Sequence, residues 1–188
     1  MPESIVDIVN RALDYIGQQT LVNLDEPGPN PAKVRRIWPL VRDAVLREHG
    51  WKCATRRIQL NELREKQVCG CKCRFQLPPD CLRLVDVFPA EARVVVEGDS
   101  LFSDLTELSM AYVARVENPR PSDAALSEAL SVRLAAELAY GASASMSLAQ
   151  QLEEKYRQKL RDARGYDARE SGGAPRTLGS WASAKLGL

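Results

Sequence analysis

This chain is short of the residues that do chemistry. It has one histidine, His49, in 188 residues, and aromatics make up only 6% of it. A lone His at a helix end, beside Gly50, reads as a helix-terminal residue favoured by the dipole rather than as a general base. There is no Gly-x-Ser-x-Gly, no glycine-rich loop ending in Lys-Ser/Thr and no His-Glu-x-x-His. Elbow-type hydrolysis, phosphate-loop chemistry and zincin chemistry therefore have no anchor. The carboxylates are scattered, and no pair stands out from a solvated surface. These absences predict a protein that is not an enzyme and carries no cofactor.

An excess of one charge is missing too. The chain has 26 basic and 25 acidic residues, a net charge of +1. No bulk field draws it to nucleic acid or to an anionic membrane. No apolar run approaches the roughly 20 residues that cross a bilayer. The opening "MPESIVDIVNRALDYIG" lacks a basic n-region, and acids interrupt its apolar positions, so it does not read as a signal peptide. A reducing compartment is the expectation, and an odd count of five cysteines fits it.

What is present is an ordinary globular composition, 45% apolar and 27% charged, enough for one domain with a real core. Apolar positions near every third or fourth residue predict helices over 4–17, 31–49, 122–139 and 145–164. Ser4 is a plausible N-cap, with Asp7 completing a capping box in which Asp replaces Glu, and Gly17 is a plausible C-terminal stop. Pro39 falls inside the second helix and should kink it. Between the helix pairs the period changes to two. "RIQLNEL", "CRFQL", "LRLVDVF", "ARVVVEGDSLFSD" and "SMAYVARV" read as strands, the fourth folding back at Gly98-Asp99. The expected fold is α+β and mainly helical: a four-helix bundle, with a small antiparallel β-subdomain of four to six strands over 51–116 inserted between helices two and three. Residues 1–165 form the single domain, and 166–188 an extended tail.

Two stretches need separate weighing. "VCGCKC" places Cys69, Cys71 and Cys73 at alternate positions. In an extended chain Cys69 and Cys73 stand roughly 13 Å apart, too far for one tetrahedral ion, and zinc sites prefer Cys-x₂₋₄-Cys. Small strand residues are the favoured reading. A metal site bent at Gly70 and completed by Cys53 and Cys81, or a disulfide formed in an oxidising medium, remain alternatives. The tail "ESGGAPRTLGSWASAKLGL" has no helical stripe but carries Leu178, Trp181, Leu186 and Leu188. Spaced apolar anchors on a flexible segment suggest ordering on a partner; a terminus without a role is the alternative.

Four segments together carry a resemblance: "SIVDIVNRALDYIG", "IWPLVRDAVLREHGWKCA", "LPPDCLRLVDV" and "LSVRLAAELAYGASASMSLAQQLEEKYRQKLRDAR". The most distinctive pieces are Pro39-x-x-Arg42-Asp43 and the turn from Leu77 through Asp80 to Arg83. In order and spacing these segments resemble the head–tail adaptors of tailed phages, and more closely the tail tubular protein A group of short-tailed phages. The resemblance implies a ring, commonly of twelve copies, that joins the portal to the tail nozzle at the phage neck. Genomic DNA would pass through its lumen without specific binding, and the near-neutral charge suits that. It also implies a helical bundle with a small β-subdomain, and a C-terminal segment that reaches the portal. Here that segment would place Leu178, Trp181, Leu186 and Leu188 on the portal, with Trp181 as chief anchor. The alternatives are another head-completion or connector protein of the neck, or a cysteine-based zinc or nucleic-acid-binding module.

Overall fold

The structure is a computed structural model that describes residues 4–63, 70–117, 124–140 and 146–170. In chain order it contains α1 (Ile5–Tyr15), α2 (Pro29–Arg47), β1 (Thr55–Gln59), β2 (Glu62–Leu63), β3 (Cys73–Gln76), β4 (Cys81–Phe88), β5 (Val94–Glu97), β6 (Ser100–Ser103), β7 (Ser109–Ala114), α3 (Ala124–Tyr140) and α4 (Met146–Arg169).

Local chemistry fixes the helix ends. At the start of α1, the Asp7 amide donates to Ser4 Oγ at 3.2 Å and the Ser4 amide donates to Asp7 Oδ2 at 2.8 Å. These bonds to Ser4 hold the Asp7 carboxyl below its usual range. The capping box therefore contributes at neutral pH and is lost as pH falls through the carboxylate range. At the other end Gly17 takes φ +65°. Its amide donates to the Asp14 carbonyl and that of Gln18 to the Leu13 carbonyl, the paired bonds of a Schellman stop. Helix α2 begins two residues earlier than the pattern suggests, with Pro29 and Pro31 in its first turn where a missing amide costs nothing. Pro39 lies on the exposed side of α2, and the helix runs through it.

Helix α3 is buried around most of its circumference, including Leu126, Ala129, Leu130, Val132, Leu134, Ala135 and Leu138. Even Ser127 and Ser131 are buried, and Ser131 Oγ donates to the Ser127 carbonyl at 2.9 Å. The other three helices all pack on it. Its polar edge meets α4 through Arg133–Glu153 at 2.6 Å and Glu128–Lys159 at 2.8 Å.

The strands form two antiparallel sheets. One has the order β1-β7-β4, the other β2-β3-β6-β5. In β7, Met110, Tyr112 and Ala114 join Phe75 and Leu101 of the second sheet in one core, while Val113 joins Leu82, Trp51 and the helices in the other. Alternation along one strand thus feeds two cores. The result is three layers: helices, first sheet, second sheet.

This corrects the expected architecture. The molecule is not a four-helix bundle with a small β insert. The helices surround α3 rather than a shared axis, and two sheets of seven strands occupy the region between α2 and α3 among the described residues. The physical reason is β7, whose two buried faces make the first sheet a load between two cores. "RIQLNEL" also divides into two strands in different sheets. The chain turns the corner at buried Leu60, whose amide donates to the Leu108 carbonyl at 2.7 Å. Helix α4 continues to Arg169, past the expected end at 164.

Phe75 is fully buried between the two sheets. Phe75→Ala is expected to cost about 3–5 kcal/mol, read as a lowered denaturation midpoint, whereas a change of less than about 1 kcal/mol would mean that the second core is not packed as described.

Candidate functional site

Three aspartates hold the layers together. Asp43, on α2, accepts from Arg42 Nε at 2.9 Å through Oδ1 and from Arg115 Nε at 2.8 Å through Oδ2. Arg42 is 8% exposed, so its charge depends on that partner. Arg115 follows the last residue of β7, and its own amide donates to the Asp80 carbonyl at 2.7 Å. The Asp80 carboxylate in turn takes Arg56 Nη1 of β1 at 2.7 Å and the Tyr112 hydroxyl of β7 at 3.2 Å. Burial, then the Asp80 charge, pushes the Tyr112 phenol up. The Arg42-Asp43 step of α2 and the Pro-Pro-Asp turn before β4 therefore meet through one residue, Arg115.

Asp167, in the last turn of α4, is 6% exposed. Its Oδ1 accepts the Lys52 amide at 2.9 Å, its Oδ2 lies 2.9 Å from His49 Nε2, and its carbonyl accepts from Lys52 Nζ. His49 stands one residue past the C-cap Glu48 and packs edge-on against Trp51, with ring centroids 4.8 Å apart. Trp51 is fully buried and donates through Nε1 to the Val45 carbonyl at 3.1 Å. Nearby, the Tyr156 hydroxyl donates to Glu48 Oε1 at 2.6 Å, and Arg164 Nη2 donates to the Glu48 carbonyl at 2.9 Å. Burial first, then the bond to Glu48, drives the Tyr156 phenol far above its ordinary value. Cationic donors at the last carbonyls of α2 suit the negative end of its dipole.

This junction is a clamp. His49, Lys52 and Tyr156 each bond to a fixed protein partner there, and Arg164 holds Glu48 through Nη2 while its buried Nε finds no hydrogen-bond partner. The pocket near Arg42, Cys53 and Leu130 holds about 10 Å³, no more than one water needs, while wider clefts of about 350, 400 and 480 Å³ open to solvent beside Pro29, Glu153 and Pro79. His49 serves the helix junction, as its position suggested. The sequence singled out Asp43 and Asp80 only as parts of the resemblance, without a role, and passed over Asp167, since an acid on a mixed-charge surface looks the same in sequence whether it is paired or solvated.

The cysteines separate from one another. Cys73 lies in β3, buried in the core between the sheets. Burial and then the Glu62 hydrogen bond push its thiol up. Cys81 is half-buried at the start of β4, and burial raises its thiol as well. Raised thiols are poor nucleophiles and poor metal ligands at neutral pH. Gly70 takes φ +78°, and the strand begins only at Cys73, so Cys71 precedes it and is half-buried. None of Cys53, Cys71, Cys73 and Cys81 is in a disulfide, and among the described residues no group of three His, Cys, Asp or Glu is arranged to hold a metal. Cys69 lies outside the described residues.

Leu178, Trp181, Leu186 and Leu188, the expected portal anchors, also lie outside the described residues. Among the described residues, the large apolar side chains left to solvent include Val22 (91% exposed), Leu40 (70%) and Met146 (69%), together with Val95 and Val96 of β5. No helix among those residues is long and apolar enough to cross a membrane. No protein-family model matches the chain, and no curated protein matches it in sequence.

Asp43→Ala is expected to destabilise the fold by about 2–3 kcal/mol, because Arg42 is left buried without its carboxylate. Chemical denaturation measures this. Arg115→Ala should cost less, since the exposed end of the bridge can be replaced by water.

Proposed function

We propose that this chain is a structural subunit of a phage neck ring, joining the portal to the tail nozzle and continuing the DNA channel. One observation carries the reading. The two most distinctive pieces of the resemblance, Arg42-Asp43 on α2 and Asp80 in the turn before β4, converge on Arg115 at 2.8 and 2.7 Å. Segments that look familiar only together also work together. The remaining familiar segments, α1, α3 and α4, pack into the same helical core. Internal salt links that fix one element against another suit a part that must keep its shape under load.

The β-region is larger than the bundle that the resemblance implied, so the reading rests on the helical core and its polar links. A zinc module finds no support in the placement of Cys73 and Cys81. The virion neck is the corresponding location, and assembly into a ring, commonly of twelve copies in such adaptors, is part of the same proposal.

Light scattering of the full chain, alone and mixed with the portal protein of the same phage, tests it. The expected outcome is a small species alone and a complex holding many copies on the portal. A chain that ignores the portal overturns the reading. Removing residues 171–188 leaves α4 whole and takes away Leu178, Trp181, Leu186 and Leu188; portal binding should weaken at least tenfold, and unchanged binding would remove the tail from the proposal.

A further inference from the structure

The two sheets offer four edges, and they are not alike. In the first sheet, β1 carries Arg56 and Arg57, and β4 breaks its register twice and carries Arg83 and Asp86. In the second, β2 has two residues, one of them Glu62. Charge, irregular register and shortness are the usual protections of an open edge. Strand β5 is also short and ends in a charge, but its register is regular and its middle is wholly apolar. It is Val94-Val95-Val96-Glu97, it pairs with β6 in unbroken register, and Val95 and Val96 are 49% and 46% exposed. Among the described residues no strand follows on its far side, so half of its amides and carbonyls face outward.

We propose that β5 is a self-pairing edge, which joins two copies of this chain through an antiparallel β5–β5 contact and merges their second sheets into one. The flanking charges select this occupant. Arg93 is exposed, and it shares a face with Val95 and Glu97 by alternation. A two-fold axis perpendicular to the sheet preserves faces, so residues of equal parity must meet across it. In the register centred on Val95, Val95 meets Val95 of the second copy, Val94 meets Val96, and Arg93 meets Glu97 at both ends. A strand that reads Arg-Val-Val-Val-Glu is thus complementary to itself in charge as well as in apolar surface. Such an isologous contact joins two copies and stops, so it is a different surface from the head-to-tail contact that a ring requires. It goes beyond the neck reading and does not depend on it.

Sedimentation equilibrium of the full chain, over a range of concentrations and with no portal present, tests the proposal. The unchanged chain is expected to dimerise. Arg93→Glu and Glu97→Arg chains should each dimerise about tenfold more weakly, because like charges then face each other at both ends. An equimolar mixture of these two chains re-creates both opposite-charge pairs and should recover the dimer. All these side chains are exposed, and circular dichroism verifies that each variant is folded. A chain that stays monomeric throughout, dimers indifferent to both reversals, or a mixture that fails to recover would overturn the proposal. Portal binding is scored in a separate mixture, so either idea can fail while the other stands.

Discussion

The two-sided burial of β7 is the constraint on which the rest of the structure depends. Its odd and even residues serve different cores, Val113 with the helices and Met110 and Tyr112 with the second sheet. A strand in that position must be central, which places β1 and β4 on either side of it. It must also be covered on both faces, which requires the second sheet on one side and the helices on the other. Helix α3 imposes the matching demand on the helical side. With almost no polar circumference, it needs α1, α2 and α4 around it.

Apolar burial is non-directional, and it does not by itself fix how three layers sit against one another. The aspartates supply direction. Asp43 bridges the middle of α2 to the residue after β7, Asp80 bridges β1 to β7, and Asp167 ties the end of α4 to the turn before β1. Each accepts donors from elements distant in sequence; Asp43 joins the helices to the first sheet, Asp80 fastens the strands within that sheet, and Asp167 fastens α4 to the segment between α2 and β1. Charge-assisted bonds of this kind restrict angle and distance far more than a leucine contact does.

Much of the local structure was legible in the sequence. Ser4 and Asp7, Gly17, and the Gly98-Asp99 turn act through their nearest neighbours, and they behave as their residue types dictate. The strand segments were visible as alternation. What alternation does not contain is which neighbour covers which face. That is why one small sheet was expected where two stand, and why the corner at Leu60 was hidden in a pattern that alternates straight through it. The link of Leu60 to Leu108 is tertiary. The cysteine pattern misled in the same way. Regular spacing suggested one strand face, but among the described residues the strand begins only at Cys73, past Cys71. Of the candidate site, His49 was legible by position, whereas Asp167, its partner, was one acid among 25 acidic residues.

The distribution of polar and apolar groups also bears on what kind of protein this is. An active site concentrates unpaired or strained polar groups around an open space. Here the interior carboxylates are spent on holding elements together, and the thiols at Cys73 and Cys81 are shielded. Large apolar side chains stand exposed at Val22, Leu40 and Met146 and along β5. Surfaces of that kind are unfavourable in an isolated monomer and become favourable when covered. The interior specifies one rigid shape, and the exterior presents apolar points and an open strand edge.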